Sequence, residues 1–460
     1  MFIRRRAFAI CGTFLTALLV FSGSTAAQTP PAVLTPLYSF AGGSDGADPS
    51  APVVLGRGGV LYGTTNFRGT ANHGTVFSLT PPAAPGHSWT LTTLYAFAGG
   101  SDGADPDSGL AIGSGGVLYG VTYAGGNDGC FQLGCGTVFS LTPPATPGGP
   151  WTKAILHTFT GGRDGGTPIS GVVMDRSEVL YGTTYSGGTV PCTTDGAVGC
   201  GTVFSLTPPK SAGGAWTEGV LHSFAGGTDG ANPGAGGLTI GKNAELYGTT
   251  ETGGITFECY PTYKESCGTV FSLTPPRSPG DGWTKTMHHS FAGVSTDGSE
   301  PYGRLVIDSD GALYGTTQGG GLDASCPGCG TVFSLKPPAA PGGEWSETVL
   351  YSLGGAPDGE SPWGGVVIGK GGVLYGTTYR GGKSCCGTVF ALTPPTSPGG
   401  IWTEAVLHSF DGGSDGAFPP SGLAIGEGGV LYGTTYAGGT TSCTASGDYD
   451  GCGTVFSLTP

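Results

Sequence analysis

The sequence predicts an all-β fold, a closed seven-bladed β-propeller of four-stranded antiparallel blades. Three observations predict it. First, one unit recurs seven times. "LYGTT" or a close variant places Tyr62, Tyr119, Tyr181, Tyr247, Tyr314, Tyr375 and Tyr432 at spacings of 57 to 67 residues. "GTVF" keeps register with it at Phe77, Phe139, Phe204, Phe271, Phe333, Phe390 and Phe456. So does Asp-Gly-x-x-Pro, at Asp45, Asp102, Asp164, Asp229, Asp297, Asp358 and Asp415. Second, each unit holds four short apolar runs and no sustained helical period. Third, the chain opens, after a leader, on the fourth kind of run and ends on the third. The first strand can therefore complete the last blade and leave no open edge. The 93 Gly and 35 Pro, more than a quarter of 460 residues, would signal low complexity if aperiodic; here they punctuate strands.

Taken in order, the elements begin with the leader "MFIRRRAFAICGTFLTALLVFSGSTAAQ". Arg4, Arg5 and Arg6 precede an apolar run over residues 7 to about 21, and small residues 24–27 offer a cleavage site before Gln28. This is the pattern of a secretory signal peptide, 1–27, and the apolar run is short for a bilayer. A single propeller domain is expected over 28–460, its outer strand at about 33–41 ("AVLTPLYSF") completing the blade formed by about 421–460. In the second full unit the runs are "GLAIG" (109–113), "GVLYGVT" (116–122), "GTVFSLT" (136–142) and "WTKAILHTF" (151–159). All are rich in Val, Ile, Tyr, Phe and Thr and bounded by Gly or Pro, which are strand signals. In "GTVFSLT", Thr137, Phe139 and Leu141 share one face.

Removing the leader takes three arginines and Cys11, leaving 15 basic against 32 acidic residues, a charge of −17, and twelve cysteines. An acidic surface repels phosphate backbones, which excludes nucleic acid as a partner. No second apolar run reaches membrane length, so no membrane insertion is expected once the leader is gone. An even cysteine count in an exported chain reads as a disulfide set. The protein is expected to be secreted or periplasmic, and monomeric.

The recurring "LYGTT…GG…CGTVFSLTPP…GG.WT..VLHSFAGG.DGA.P" resembles the GloVer tandem repeat of bacterial surface proteins, the choice-of-anchor group, over residues 37–460. That family is defined by its repeat, and the resemblance implies no assigned reaction. It implies a variable C-terminal anchor; this sequence stops at Pro460 without an apolar tail or sorting signal, so wall anchoring is not expected. More distantly the unit is similar to a kelch blade, which implies that "GLAIG" is innermost and "WTKAILHTF" outermost.

Units two to seven carry a cysteine directly before GTVF, at Cys135, Cys200, Cys267, Cys329, Cys386 and Cys452. Each has one upstream companion in the same loop: Cys130, Cys192, Cys259, Cys326, Cys385 and Cys443. Six loops with two cysteines each suggest six local disulfide staples. The adjacent Cys385 and Cys386 would be the shortest, although neighbouring Cα atoms lie only about 3.8 Å apart. His157, His222, His289 and His408 exchange with Tyr38, Tyr95 and Tyr351 in the outer strand, which argues for aromatic packing rather than a metal. Trp89, Trp151, Trp216, Trp283, Trp345 and Trp402 open that strand as packing anchors; only Trp363 falls elsewhere, and it is expected to be exposed. The Asp-Gly segments serve as turns. Calcium is the alternative there, with Asp48, Asp105 and Asp107 nearby, although the spacing matches no standard calcium loop. No other cofactor is expected.

In an up-and-down blade, the loops after strands two and four lie on one face of the ring. The stapled loops on that face present Tyr123, Tyr185, Tyr379 and Tyr436, with Arg68 and Arg380 nearby. With Trp363 these are the candidate ligand-binding residues, suited to an uncharged polar ligand such as a glycan, which stacks on rings and hydrogen-bonds to carboxylates. The leading reading is therefore a secreted binding or interaction scaffold for a glycan or a surface protein. The alternatives are a carbohydrate-active hydrolase or lyase of propeller form and a purely structural envelope protein. No nucleophile, metal triad or cofactor motif supports catalysis, and nearly every polar residue recurs around the ring, whereas catalysis needs unlike groups converging once.

Overall fold

The computed structural model describes residues 31–460 apart from 85, 128, 131, 193–198, 212, 256–266, 279, 294–296, 322–325, 327, 341, 398, 440–442 and 444–450. The proposed signal peptide and Cys259 lie outside the described residues.

The chain forms a seven-bladed propeller of antiparallel sheets. In blade one, Val54–Leu55, Leu61–Thr65, Thr75–Thr80 and Thr90–Ala96 pair in sequence order from the axis outward. Five blades repeat this order, the fourth with the extra strand Ala231–Pro233. The seventh runs Ala424–Ile425, Leu431–Thr435 and Thr454–Thr459, and its outer strand is the N-terminal Val33–Ser39. Val33 pairs Thr459 and Ser39 pairs Thr454, so the two ends of the domain close the ring as the sequence predicts. The inner strands are shorter than the sequence runs suggest: only Ala111 and Ile112 of "GLAIG" pair. The residues before them leave the ladder and line the axis.

Why these residues make these blades is clearest at the glycine of LYGTT. A Cβ on Gly63 would lie 2.6 Å from the Phe77 ring, and one on Gly182 would lie 2.5 Å from that of Phe204. The GTVF ring covers the neighbouring strand, and only glycine leaves room. That ring in turn meets the phenylalanine ending the previous blade's outer strand. Phe40 and Phe77 pack edge-to-face at 5.2 Å, as do Phe97 and Phe139. Both rings of each pair are fully buried, and each is worth roughly 1.5–3 kcal/mol of apolar burial. The tryptophans join blades further out. Trp151 of blade two meets Tyr62 of blade one at 6.2 Å, and Trp89 meets Tyr432 across the closure. The His and Tyr positions pack against the same phenylalanines and also hydrogen-bond to the turn aspartates: Tyr95 donates to Asp102 at 2.8 Å, and His408 pairs with Asp415 at 2.9 Å.

Disulfides join Cys130–Cys135, Cys192–Cys200, Cys326–Cys329 and Cys443–Cys452. Cys267 is disulfide-bonded too. The expected staple between Cys385 and Cys386 is corrected: both are free thiols, their Sγ atoms 3.8 Å apart. Cys385, in the left-handed region at φ +66°, is exposed, while Cys386 is buried under the loop. Adjacent Cα atoms are too close for a relaxed bridge. No helix among the described residues is long and apolar enough to cross a membrane.

Candidate functional site

The stapled loops and the Asp-Gly loops share one face and are tied together by main-chain bonds. Ala47 bridges Phe67, Ala104 bridges Ala124, and Glu360 bridges Arg380. Between them the chain descends into the axis past the constant proline (Pro49, Pro106, Pro168, Pro233, Pro301, Pro362, Pro419). The residue before that proline is left-handed in every blade and is never glycine: Asp48, Asp105, Thr167, Asn232, Glu300, Ser361 and Phe418, with φ between +51° and +59°. Left-handed backbone costs an ordinary residue about 1–2 kcal/mol. Its N–H bonds the carbonyl ahead of GTVF, as from Phe418 to Cys386, or from Asp105 to His73 in the unit without cysteines. Its carbonyl accepts from the residue after YGTT, as from Tyr123 to Asp105 and from Tyr379 to Ser361. Backbone bonds thus set these positions around the mouth, and the residue types there are free to differ.

They do differ. After the proline stand Ser50, Asp107, Ile169, Gly234, Tyr302, Trp363 and Pro420; after YGTT stand Asn66, Tyr123, Tyr185, Glu251, Gln318, Tyr379 and Tyr436. This revises the sequence view that polar groups simply recur. A cavity of about 900 Å³ opens here along the axis, and its wall includes Tyr123, Tyr302, Trp363, Tyr379, Tyr436 and Asp107.

Of the sequence candidates, Tyr123, Tyr379, Tyr436 and Trp363 meet at this cavity. Trp363 is half-buried rather than exposed as expected. It stacks on Tyr379 with ring centroids 3.9 Å apart and an interplanar angle of 10°, and Tyr302 tilts against it at 6.0 Å. Tyr185, Arg68 and Arg380 are not part of the wall. Arg380 lies outside on the exposed rim, its guanidinium 5.9 Å from the Tyr379 ring. Arg68 lies near Asp48. Burial raises that carboxyl to about 6, against the opposing pull of the Arg68 charge.

Sequence reading missed Tyr302, Asn66 and Arg304, and noticed Asp107 only as a calcium candidate. Burial raises Asp107 to about 6, with a hydrogen bond from Ser50 working against the rise. Burial, then the charges of Glu251 and Asp107, raises the Tyr302 phenol, which therefore stays a donor at neutral pH. Asp107 Oδ1, Asn66 Oδ1 and Trp363 Nε1 are buried without a hydrogen-bond partner among the described residues. They are two acceptors and one donor left unsatisfied on residues of the cavity wall. The signal that could have found this wall is the set of positions beside a constant proline that never repeat.

Two groups among the described residues bring three ligand-type atoms within 4.8 Å of one another: Cys326, Cys329 and Glu360, and His289, Asp297 and Glu347. The sulfurs of the first are in a disulfide. The second lies at an outer strand, away from the cavity wall, with His289 paired to Asp297 at 3.3 Å. Asp48, Asp105 and Asp107 form no such group.

The fold and the axial site define the class: a disulfide-stapled tandem-repeat β-propeller with a wall of unlike side chains at the mouth of its channel. The Gloeobacter/Verrucomicrobia repeat matches residues 9–260 and 259–460, and the chain belongs to that family. No curated protein matches the sequence. Among solved structures it is similar to a Bacteroides uniformis protein assigned provisionally as a 6-phosphogluconolactonase, at 13% identity and a TM-score of 0.48, covering 87% of this chain and 98% of that one. It is also similar to a PL25 ulvan lyase, a polysaccharide lyase, at 12% identity and 0.47, covering 80% and 85%. Trypanosoma rangeli sialidase follows at 10% and 0.41, covering 89% of this chain and 59% of the sialidase.

Proposed function

We propose that the channel mouth binds a saccharide, and that the protein is an exported, monomeric binding scaffold that presents this face to glycans in the periplasm or outside the cell. The observation that carries the reading is the Trp363–Tyr379 stack beside unpartnered Asp107 Oδ1, Asn66 Oδ1 and Trp363 Nε1. A pyranose has an apolar face for an aromatic ring and a rim of hydroxyls for such atoms, and ligand sites combine an apolar wall with a few converging polar groups. A purely structural envelope role would not need a mouth that differs blade by blade. A glycan-array screen of the mature chain tests the reading. Trp363→Ala and Tyr436→Ala are expected to abolish the hits, while Tyr185→Ala, outside the cavity wall, leaves them. Hits indifferent to both wall substitutions would remove the reading.

A second reading, a carbohydrate-active hydrolase or lyase, is favoured by Asp107. A carboxyl near 6 suits a general acid or base, and Tyr302 and Arg304 line the same cavity. Release of new reducing ends or of unsaturated sugars from the array hits, lost in Asp107→Asn, would establish it.

A further inference from the structure

Below the mouth a further ring lines the channel. Its positions are Pro52, Gly109, Gly171, Gly236, Arg304, Gly365 and Gly422. Glycine is required by close backbone approach between blades: a Cβ on Gly171 would lie 2.4 Å from the Gly109 carbonyl oxygen, and one on Gly365 would lie 2.1 Å from that of Arg304. Two blades in seven break the pattern, one with Pro52 and one with Arg304, the longest cationic side chain available.

Arg304 is exposed by surface area, yet the surrounding blades desolvate it and lower its pKa. It lines the axial cavity. Its Nε lies 3.4 Å from Thr239 Oγ1, and no carboxylate among the described residues pairs with it within 4.0 Å. A guanidinium has five N–H donors. Its donors are set in a fork that fits planar oxyanions.

We propose that this throat is an anion site and that the saccharide taken at the mouth is acidic, a sugar whose carboxylate or sulfate ester seats on Arg304. The proposal rests on the saccharide reading above. It adds an orientation: the anionic group points down the channel, an apolar face lies on Trp363, and hydroxyls meet Asp107 and Asn66. The polarity of the site, carboxylates at the mouth and a guanidinium in the throat, rejects the reversed pose by like-charge repulsion.

Calorimetry with the mature protein tests this, using four probes: glucuronate, glucose 6-sulfate, methyl glucoside and inorganic sulfate. At least one acidic sugar is expected to bind about tenfold or more tightly than methyl glucoside, the scale of a charge-assisted bidentate contact. Which one does so distinguishes carboxylate from sulfate ester. Arg304→Gln should bring it to the level of the neutral sugar, and Arg304→Lys should retain part of the difference; unchanged melting temperatures show that both variants fold. Trp363→Ala should weaken acidic and neutral sugars alike. Equal binding of acidic and neutral sugars, or indifference to Arg304→Gln, overturns the anion site and leaves the saccharide reading standing. Sulfate binding without any sugar binding overturns the acidic-sugar proposal and the saccharide reading together, as does no binding at all.

Discussion

Cys385 and Cys386 stay reduced because the chain gives them no geometry for a bridge: one thiol points out at φ +66° and the other is buried. Burial, then the hydrogen bond and charge of Cys385, raises the Cys386 thiol to about 11, so it is a poor nucleophile at neutral pH. Maleimide labelling of the native protein should tag Cys385 alone. Labelling after denaturation without reductant should tag both and leave Cys130, Cys135, Cys192, Cys200, Cys326, Cys329, Cys443 and Cys452 unmodified. A bridged 385–386 pair in exported protein would contradict this. The left-handed mouth residues make a second case. Burial raises Asp105 against the opposing pull of the His73 charge; it has φ +57° and, among the described residues, no side-chain hydrogen bond. Asp105→Gly relieves backbone strain but frees the unfolded chain. The expected change in stability is within about 1 kcal/mol and toward stabilisation, read from the melting temperature. The Asp105 side chain, which lines the cavity, is then kept for the cavity and not for its blade.

At the scale of the strand, neighbouring blades are joined by tryptophan on tyrosine and by buried polar clusters. Trp283 sits 5.9 Å from the Tyr181 ring of the previous blade. Trp283→Ala should cost about 2–4 kcal/mol, below the full-burial figure because the ring is only partly covered, seen as a lowered melting temperature. The clusters set the pH dependence. Burial, then the Asp297 charge, raises Glu347 to about 7. Burial, then the Asp358 charge, raises Glu404. The native chain therefore holds protons that the unfolded chain releases near pH 4. Their contribution is most favourable below that pH and is lost as pH rises through 7. Asp229 behaves oppositely: burial would raise it, but the His222 hydrogen bond and the Lys285 charge hold it at about 2. Its contribution is present above pH 4 and is lost as pH falls toward 2. Thermal stability should thus peak in mild acid and fall from pH 5 to pH 8. Glu347→Gln with Glu404→Gln should flatten the alkaline side; an unaltered slope would show that these carboxyls do not set it.

For the whole molecule, the decisive contact is closure. The strand Val33–Ser39 supplies blade seven with its outer edge, and Thr434 Oγ1 donates to the Ala51 carbonyl across the seam at 3.0 Å. Phe40 is fully buried between the last blade and the first. Deleting residues 28–41 would uncover the Thr454–Thr459 edge and the Phe77 ring. The expected result is a melting temperature lowered by many degrees and edge-to-edge association on size-exclusion chromatography, while removal of 1–27 alone changes neither.

Architecture was legible because every blade needs the same solution. The glycine under the Phe77 ring, the Asp-Gly turn below the His or Tyr, and the tryptophan that reaches the previous blade recur wherever the packing problem recurs. Vicinal cysteines looked like one more instance of a series, and covalent geometry excluded them. The candidate site was only half legible, for the opposite reason. Tyr123, Tyr379, Tyr436 and Trp363 stood out as aromatics on one face, but Asp107 follows the constant proline of one unit while Tyr302 and Arg304 follow that of another, and nothing local links the two units. The sequence by itself determined how many blades there are, how they pair and where the chain closes, because local strand chemistry repeated seven times leaves few other ways to bury it. Only the tertiary structure decided which unlike residues face one another across the axis, because that depends on the ring bringing blades two, five and six, distant in sequence, around one shared cavity.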